Sequence, residues 1–429
     1  MARFSLTLVS ALLAGGLLAS ANAQAGPMTA KLQRLLQEHN LMRSANEQMN
    51  AAKARVDIEK SGWYPDIAVT GDIGREKYDR TPGADTNLNT RSIGVSLTQQ
   101  VYDFGALDAS IQQSELSERL TKTEAERQSQ RLILAGLEAE QQLRNALVSL
   151  DYAEESEHNI RDQTDLESTR IETGQGYATD LLQAKAQLAA AEARKVAAIG
   201  ELEKARNRYQ AVFGYDAPYP TTTESLTVPE LMVPTSLKQA VDVAISNHVD
   251  LRVSRANIDV SRAEVRKLKK SEYMPRLDLV ASLDNEHNPS GVDTDNTIAA
   301  VGLQFSWDYN LGGGADSTVA AASHTSAAAE QDYLYVERQV IEDIRNTWIQ
   351  LQTSKDRVTH LENQARIAEQ FLELARKERE LGKRSLLDVL TGETSLINAK
   401  SETSSAKSEM VLAQIRLLLH IGRLDIHTF

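Results

Sequence analysis

Residue types that carry out catalysis or bind metals are either absent from this chain or lie in no working arrangement. The 429 residues include no cysteine, which excludes thiol catalysis, a disulfide framework and cysteine-ligated zinc. The eight histidines are scattered without paired ligand spacing, so we expect them to be solvated. Gly312-Gly313-Gly314 looks like a phosphate loop, but no lysine follows it, which favours a bend between a strand and a helix. The sequence therefore predicts no catalytic, cofactor or metal site, and no enzyme.

One pair of motifs places an aspartate six residues after a glycine. Gly174 precedes Asp180, and Gly382 precedes Asp388 at the same spacing. A glycine between two helical stretches is typical of a left-handed turn that ends a helix. An aspartate early in the next helix is favoured by the helix dipole, and Ser385 followed by Asp388 has the pattern of a capping box. Capping explains Asp388 at least as well as ion binding does, and the two roles are compatible.

The two motifs belong to a duplication of the whole chain. Three landmarks occur twice, at offsets of 210, 208 and 208 residues. They are the segments 61–67 and 271–277, each with an aromatic residue two positions before a proline, the glycines 174 and 382, and the pairs 213–214 and 421–422. Because the period is too long for a solenoid, the repeating unit is half a protein. We expect a signal peptide over 1–23 and structural repeats over 24–220 and 221–429.

Both repeats show the same order of predicted elements. A helix comes first, then a β-hairpin, a long helix and a returning helix, because the hydrophobic period changes from about four to two and back. Each long helix covers roughly 70 residues, or ~100 Å, and apolar residues such as Leu143 and Ile344 give it a coiled-coil seam. The predicted first helices are 28–60 and 237–270, the hairpins 66–101 and 277–307, the long helices 105–174 and 312–382, and the returning helices end at 214 and 422.

The four predicted strands alternate apolar and polar residues, which is typical of strands with one apolar face. The apolar positions assigned to lipid are Ile67, Val69, Ile93, Val95, Leu97, Leu277, Leu279, Val301, Leu303 and Phe305. Four strands cannot close a barrel, and an open sheet edge is not tolerated in hydrocarbon. An outer-membrane barrel therefore requires several copies of the chain. A soluble four-stranded sheet packed on helices is the alternative.

The N-terminal segment of the chain predicts an exported protein, and the composition adds to the description of its type. Arg3, an apolar stretch and Ala21-Asn22-Ala23 have the pattern of a secretory signal, and no later stretch is apolar enough for a membrane helix. A formal net charge of −13 makes the chain a poor nucleic-acid binder. We expect its abundant carboxylates to lie on solvent-exposed faces of the long helices. Aromatic residues make up only 5%, which indicates an elongated shape.

The chain resembles the TolC-like family of outer-membrane efflux and type I secretion channels. The resemblance rests on the duplicated plan, on Pro65 and Pro275, on the junctions 102–105 and 309–312, and on the two Gly-x5-Asp turns. The resemblance implies a mainly α protein with a β-barrel portion. Three copies would form a twelve-stranded outer-membrane barrel continuous with a twelve-helix coiled-coil tunnel that extends into the periplasm. The implied partners are a periplasmic adaptor, an inner-membrane ABC or proton-driven exporter, and outer-membrane lipid.

In such channels the helix turns farthest from the barrel form a closed periplasmic gate. By position, the resemblance assigns the tip turns to Gly174, Gly176 and Gly382, and the gate to Asp180, Arg384 and Asp388. The family arginine that Arg384 matches ties the mouth to an aspartate matching Asp180, and Asp388 matches a ring of carboxylates. Two positions depart from the pattern: a second gate aspartate is Thr391 here, and a tyrosine that helps to lock the closed state is Arg379.

The function implied by this resemblance is an outer-membrane exit channel in a tripartite export system. Type I protein secretion is the primary interpretation, because the chain lacks the cysteine to which drug-efflux relatives attach lipid. The outer-membrane component of a drug or metal efflux pump is the alternative within the same class. A soluble periplasmic coiled-coil adaptor is the alternative from another class.

Overall fold

The computed structural model describes residues 27–79, 81–217, 226–229 and 232–426. The expected signal peptide and the expected boundary between the repeats at residue 220 lie outside these residues. In the first repeat the helices are α1 (Pro27–Glu38), α2 (Asn40–Ser61), α3 (Ala106–Glu172) and α4 (Ala178–Phe213), and the strands are β1 (Asp66–Tyr78) and β2 (Thr86–Tyr102). In the second repeat they are α5 (Leu237–Asn247), α6 (Val249–Tyr273), α7 (Gly314–Glu380) and α8 (Leu386–His420), with β3 (Arg276–His287) and β4 (Asp295–Ser306).

Each repeat opens with two helices, so the prediction of one continuous helix over 28–60 and over 237–270 is wrong. The breaks occur at His39 and His248, whose backbones leave the helical region with ψ of 133° and 128°. In both cases the ring Nδ1 accepts a hydrogen bond from the backbone N–H two residues later, at 3.1 Å. The imidazole thus acts as the N-cap, a place usually taken by Ser, Thr, Asp or Asn. Histidine is not among the usual start signals, so the pattern did not reveal the break.

The two long helices organise the helical part. α3 and α7 each contain 67 residues, about 100 Å at 1.5 Å per residue. α2 and α4 pack along α3, while α6 and α8 pack along α7, so two short helices accompany each long one. The seam residues Leu143 and Ile344 are fully buried in a core shared by both repeats. No helix within the described ranges is both long enough and apolar enough to cross a bilayer.

The four strands form one antiparallel sheet in the order β1-β2-β3-β4. The register pairs Ile67 with Leu97, Val95 with Leu283, and Leu279 with Leu303. Because paired residues share a face, all ten apolar positions named above lie on the same side of the sheet. That side is uncovered: Ile67 is 68% exposed and Val301 is 76% exposed. The alternative of a sheet whose apolar face packs on helices is therefore wrong for the described chain.

The strand-to-helix junctions require left-handed backbone. Gly105 before α3 has φ of 81°, and Gly313 before α7 has φ of 76°. Side-chain oxygens brace both junctions: Asp103 Oδ1 accepts from Gly105 N at 3.0 Å, and Asn310 Oδ1 accepts from Gly312 N at 2.7 Å. The glycine that matches Gly105 is thus Gly313 rather than Gly312, and the Gly-Gly-Gly segment is a bend, as the sequence favoured.

Candidate functional site

The turns α3–α4 and α7–α8 lie at the ends of the long helices away from the sheet, and they have the same backbone. Gly174 has φ of 75° and Gly382 has φ of 71°, the left-handed region in which glycine is unstrained. Each glycine N–H donates to the carbonyl oxygen three residues back, at 2.9 Å. The next N–H donates to the carbonyl five residues back, at 2.8 and 2.9 Å respectively. These paired bonds satisfy carbonyl groups that the helix end would otherwise leave without partners.

Gly176 is needed for space rather than for backbone freedom. A Cβ at this position would lie 2.9 Å from Cγ1 of Ile171 and 3.1 Å from its backbone nitrogen. The turn α3–α4 therefore folds back on its own helix at Gly176. The corresponding residue of the second repeat, 208 positions later, is Arg384. The second turn thus accommodates a side chain at the position where the first has none.

The capping interpretation of Ser385 and Asp388 agrees with the observed geometry. Ser385 is the N-cap of α8, and its Oγ accepts from the backbone N–H of Asp388 at 3.2 Å. Asp388 lies in the first turn of α8, where the helix dipole favours a negative charge. At the matching position of the first repeat stands Tyr177, which makes no side-chain cap and is 75% exposed.

Arg384 is held by its own helix pair. Its Nε donates to Oε2 of Glu378 at 2.6 Å, and its Nη1 lies 3.7 Å from Oδ2 of Asp388. The guanidinium also lies over the ring of Phe371, 5.4 Å from the centroid. The hydrogen bond that Arg384 donates to Glu378 raises the pKa of Arg384. The implied pairing with Asp180 is thus not the contact that Arg384 makes within one protomer.

The cation beside Asp180 is Arg379. Its Nη2 lies 3.8 Å from Oδ2 of Asp180 and donates to Oε1 of Glu167 at 2.8 Å. Arg170 donates to the same Glu167 oxygen at 2.9 Å. The Glu167 side chain is only 2% exposed, so its charge requires these cations. This network, formed by Glu167, Arg170, Asp180 and Arg379, connects α3, α4 and α7, and we name it the tip network.

Sequence reasoning missed the central members of the tip network. Arg379 stood out only as a departure from a family tyrosine, and Glu167 was expected to be wet like other helix carboxylates. That expectation is wrong for four buried glutamates, each of which has a cationic partner: Glu140, Glu157, Glu167 and Glu393. Glu393 of α8 is held by Arg376 of α7 and by Asn159 of α3, both at 2.6 Å. Some partners lie within one helical turn, as Arg170 does from Glu167, but others lie 212 or 234 residues away, and local patterns do not reveal these.

Two histidines also differ from the expectation that histidines are solvated. His248 is 5% exposed, and its ring stacks on that of His420 with 6.1 Å between centroids. Burial lowers the pKa of both imidazoles. The pair forms where the end of α8 meets the break between α5 and α6. Asp250, Asp343, Arg131 and Arg416 supply the surrounding charges.

The sequence profile of the outer membrane efflux protein family matches residues 31–214 and 240–423, one segment in each repeat. The chain belongs to this family. It is 26% identical to the alkaline protease secretion protein AprF of Pseudomonas aeruginosa, over 92% of this chain and 82% of that protein. It is 24% identical to the outer membrane protein TolC of Escherichia coli, over 92% of this chain and 81% of TolC. The crystal structure of the CmeC outer membrane channel of Campylobacter jejuni has the same fold, with a TM-score of 0.81 at 17% identity, covering 92% of this chain and 85% of CmeC.

Family membership confirms the resemblance to TolC-like channels and the two-repeat architecture. It places the chain in the outer membrane with a helical tunnel in the periplasm, and not among soluble periplasmic adaptors. Proteins of this family are channels rather than enzymes, and they work with an adaptor and an inner-membrane exporter.

Proposed function

We propose that this chain is the exit channel of a type I protein secretion system, in which an ABC exporter and a periplasmic adaptor deliver the exported protein. The observation that carries this proposal is the similarity to a protease secretion protein over 92% of the chain. A second candidate is the outer-membrane component of a drug or metal efflux pump. The family's description as efflux proteins favours this candidate.

The proposed channel contains three copies of the chain. In one copy the edges of β1 and β4 have no partner strand among the described residues, and the apolar face of the sheet is open. If the β4 edge of one copy pairs with the β1 edge of the next, both edges are closed. A sheet in the hydrocarbon of a membrane requires such closure, because unpaired backbone groups are not tolerated there. Three copies of four strands give twelve, within the known range for outer-membrane barrels. The ten apolar residues then face lipid.

Reconstitution in cells separates the two candidates. The chain is expressed in a strain without other channels of this family, together with the adaptor and exporter of either a type I system or a proton-driven pump. We expect the exported protein to reach the medium in the first case and drug tolerance to stay at the vector level in the second. Restored drug tolerance without secretion would select the efflux function instead. Trimer recovery from the outer-membrane fraction verifies assembly in both strains.

We further propose that Asp180, Arg384 and Asp388 form the periplasmic gate, with Gly174, Gly176 and Gly382 setting the turns. Two contacts support this assignment: Arg384 connects Glu378 of α7 to Asp388 of α8, and Arg379 connects α7 to Asp180 of α4. An opening that moves the two helix pairs apart would have to break the second contact. Carboxylates of Asp388 repeated around a threefold axis would also favour cations.

The variant Arg384→Ser tests the gate. We expect a larger single-channel conductance in planar bilayers, because the contacts to Glu378 and Asp388 are lost. Lys383→Ser is the matched control, since it removes the same charge from the neighbouring exposed position. Unchanged conductance in Arg384→Ser, or an equal increase in both variants, would remove Arg384 from the gate.

A further inference from the structure

The last turns of α6 carry a basic face just before the chain enters the sheet. Arg262, Arg266, Lys269 and Lys270 fall within roughly 100° of one another around a helix of 3.6 residues per turn. All four are exposed. This concentration of positive charge is unusual in a chain whose formal net charge is −13. We name it the α6 basic face.

Most of this charge is not neutralised by carboxylates. Arg262 pairs with Glu330 at 2.7 Å. By contrast, Arg266 donates to the amide oxygen of Gln112 at 3.4 Å, and Lys270 donates to the backbone carbonyl of Phe104 at 3.0 Å. These acceptors are neutral, and Lys269 lies exposed beside them. The α6 basic face therefore presents free positive charge to an external anion.

A cavity at the junction between the helices and the sheet shows which way this face points. Its lining includes Ser271 of α6 together with Gln100 and Arg276 from the polar face of the sheet. Ser271 therefore lies on the side of the polar face. Arg262, Arg266 and Lys269 lie roughly 140–180° from Ser271 around the helix. The α6 basic face thus lies on the side of the apolar sheet face.

Exposed aromatic residues mark the level at which the apolar face ends. They come from both repeats at the junctions of strands and helices: Trp63, Tyr64, Phe104, Trp307 and Tyr309. Such belts lie at the boundary between membrane and water. The basic face touches this belt, because Lys270 donates to the backbone carbonyl of Phe104, and the backbone carbonyl of Tyr273, the last residue of α6, accepts from Trp307 Nε1 at 3.3 Å. Lys269 is one helical turn, about 6 Å, from Tyr273.

We infer that the α6 basic face binds the phosphate groups of anionic phospholipids in the periplasmic leaflet of the outer membrane. Lysine and arginine are the usual ligands of phosphate, and an anionic lipid surface attracts basic residues that lie within a Debye length of it. Long basic side chains at this level extend their charged ends to the headgroups while their methylenes cover apolar surface. This inference rests on the proposed placement of the apolar sheet face in lipid.

Lipid binding to the purified channel tests the inference. The full mature chain in neutral detergent is titrated with phosphatidylglycerol or with phosphatidylcholine of the same acyl chains, and bound lipid is counted by native mass spectrometry. We expect a preference for phosphatidylglycerol of roughly tenfold or more. Replacing all three free charges, Arg266→Gln, Lys269→Gln and Lys270→Gln, should weaken phosphatidylglycerol binding roughly 100-fold and leave phosphatidylcholine binding unchanged.

The matched control removes three exposed positive charges from α7. These residues lie about 35 Å or more along α7 from its first residue, Gly314, which is the end near the sheet. It combines Arg338→Gln, Arg345→Gln and Lys355→Gln and should keep the wild-type preference. If the control loses binding equally, or if the wild type does not distinguish the two lipids, the inference is wrong. Should the triple variant fail to assemble, the single variant Lys269→Gln still has to show a severalfold loss. If the wild-type channel binds neither lipid, the proposed lipid site is wrong. The proposed export function is tested separately, by the secretion assay.

Discussion

The two repeats have nearly the same backbone but different side chains at the tip, and this difference is where a specific contact arises. With an offset of 208, Glu167 corresponds to Ala375, and Ile171 corresponds to Arg379. In α3 the first of these two positions is charged and the second is apolar, whereas in α7 the first is apolar and the second is charged. The anion of the first repeat meets the cation of the second at 2.8 Å. The duplication gives both repeats the same backbone, and the sequence differences between them create the ion pair between Glu167 and Arg379 that joins them.

The two turns differ in the same manner. Gly176 and Tyr177 of the first repeat correspond to Arg384 and Ser385 of the second. The first turn folds tightly against Ile171 and has no side-chain N-cap, whereas the second is capped by Ser385 and held by Arg384. We therefore expect the α7–α8 tip to be the stiffer of the two.

Removing the charge of Glu167 breaks the contact between the repeats and has the largest expected effect. Glu167→Gln keeps the size of the side chain but leaves Arg379 and Arg170 without their buried anion. Loss of one partner of a buried pair destabilises by about 3 kcal/mol. Thermal unfolding in detergent, followed by circular dichroism, measures this effect, and planar bilayers should show a larger conductance. Glu172→Gln, at an exposed position of the same helix, should change neither quantity; a stable Glu167→Gln channel would contradict the role of the tip network.

Exchanging the caps sharpens the comparison between the turns. Ser385→Ala should destabilise the start of α8 by about 1 kcal/mol, because the N–H of Asp388 loses its acceptor. Tyr177→Ser should stabilise the start of α4 by a similar amount. Hydrogen exchange of the amides in the two first turns measures both changes locally. Equal protection of the two turns in the wild type would show that the cap does not produce the difference.

Replacing Asp388 separates capping from ion binding. Asp388→Asn keeps the N–H that donates to Ser385 but removes the carboxylate. We expect α8 to keep most of its stability and the channel to become less cation-selective, as measured by the reversal potential in a salt gradient. Asp180→Asn provides the comparison in the first repeat. Unchanged selectivity in Asp388→Asn would leave capping as the role of this segment.

The buried pair His248 and His420 makes the stability of the fold depend on pH. Burial lowers the pKa of His248 and His420 in the folded chain, so below about pH 6.5 the unfolded chain binds more protons. Stability should therefore fall as the pH drops through this range, and it should be unaffected by these groups above it. His248→Asn keeps a capping acceptor and removes one titrating group, so the fall in unfolding temperature should become smaller. His39→Asn is the control outside the buried pair; an equal reduction there would assign the pH dependence to other groups.

Local patterns predicted the parts of the site that depend on the backbone. Glycines at 174 and 382 end helices in left-handed turns, and Ser385 caps α8, because these features depend on residues within one turn. Local patterns failed for His248, which looks like any surface histidine until α8 packs beside it. They failed for Glu167 as well, because Arg379, its partner in the second repeat, lies 212 residues away.

The sequence by itself determined the duplicated order of strands and long helices and the alternation of apolar and polar residues along the four strands. These properties follow from hydrophobic period, proline and glycine placement, and chain length, which act locally. Tertiary structure decided which carboxylates are buried, which cation each of them meets, and on which side of the sheet the α6 basic face lies. Those outcomes depend on the packing of segments from both repeats, because a buried charge needs a partner wherever packing places one, as Arg379 is placed beside Glu167.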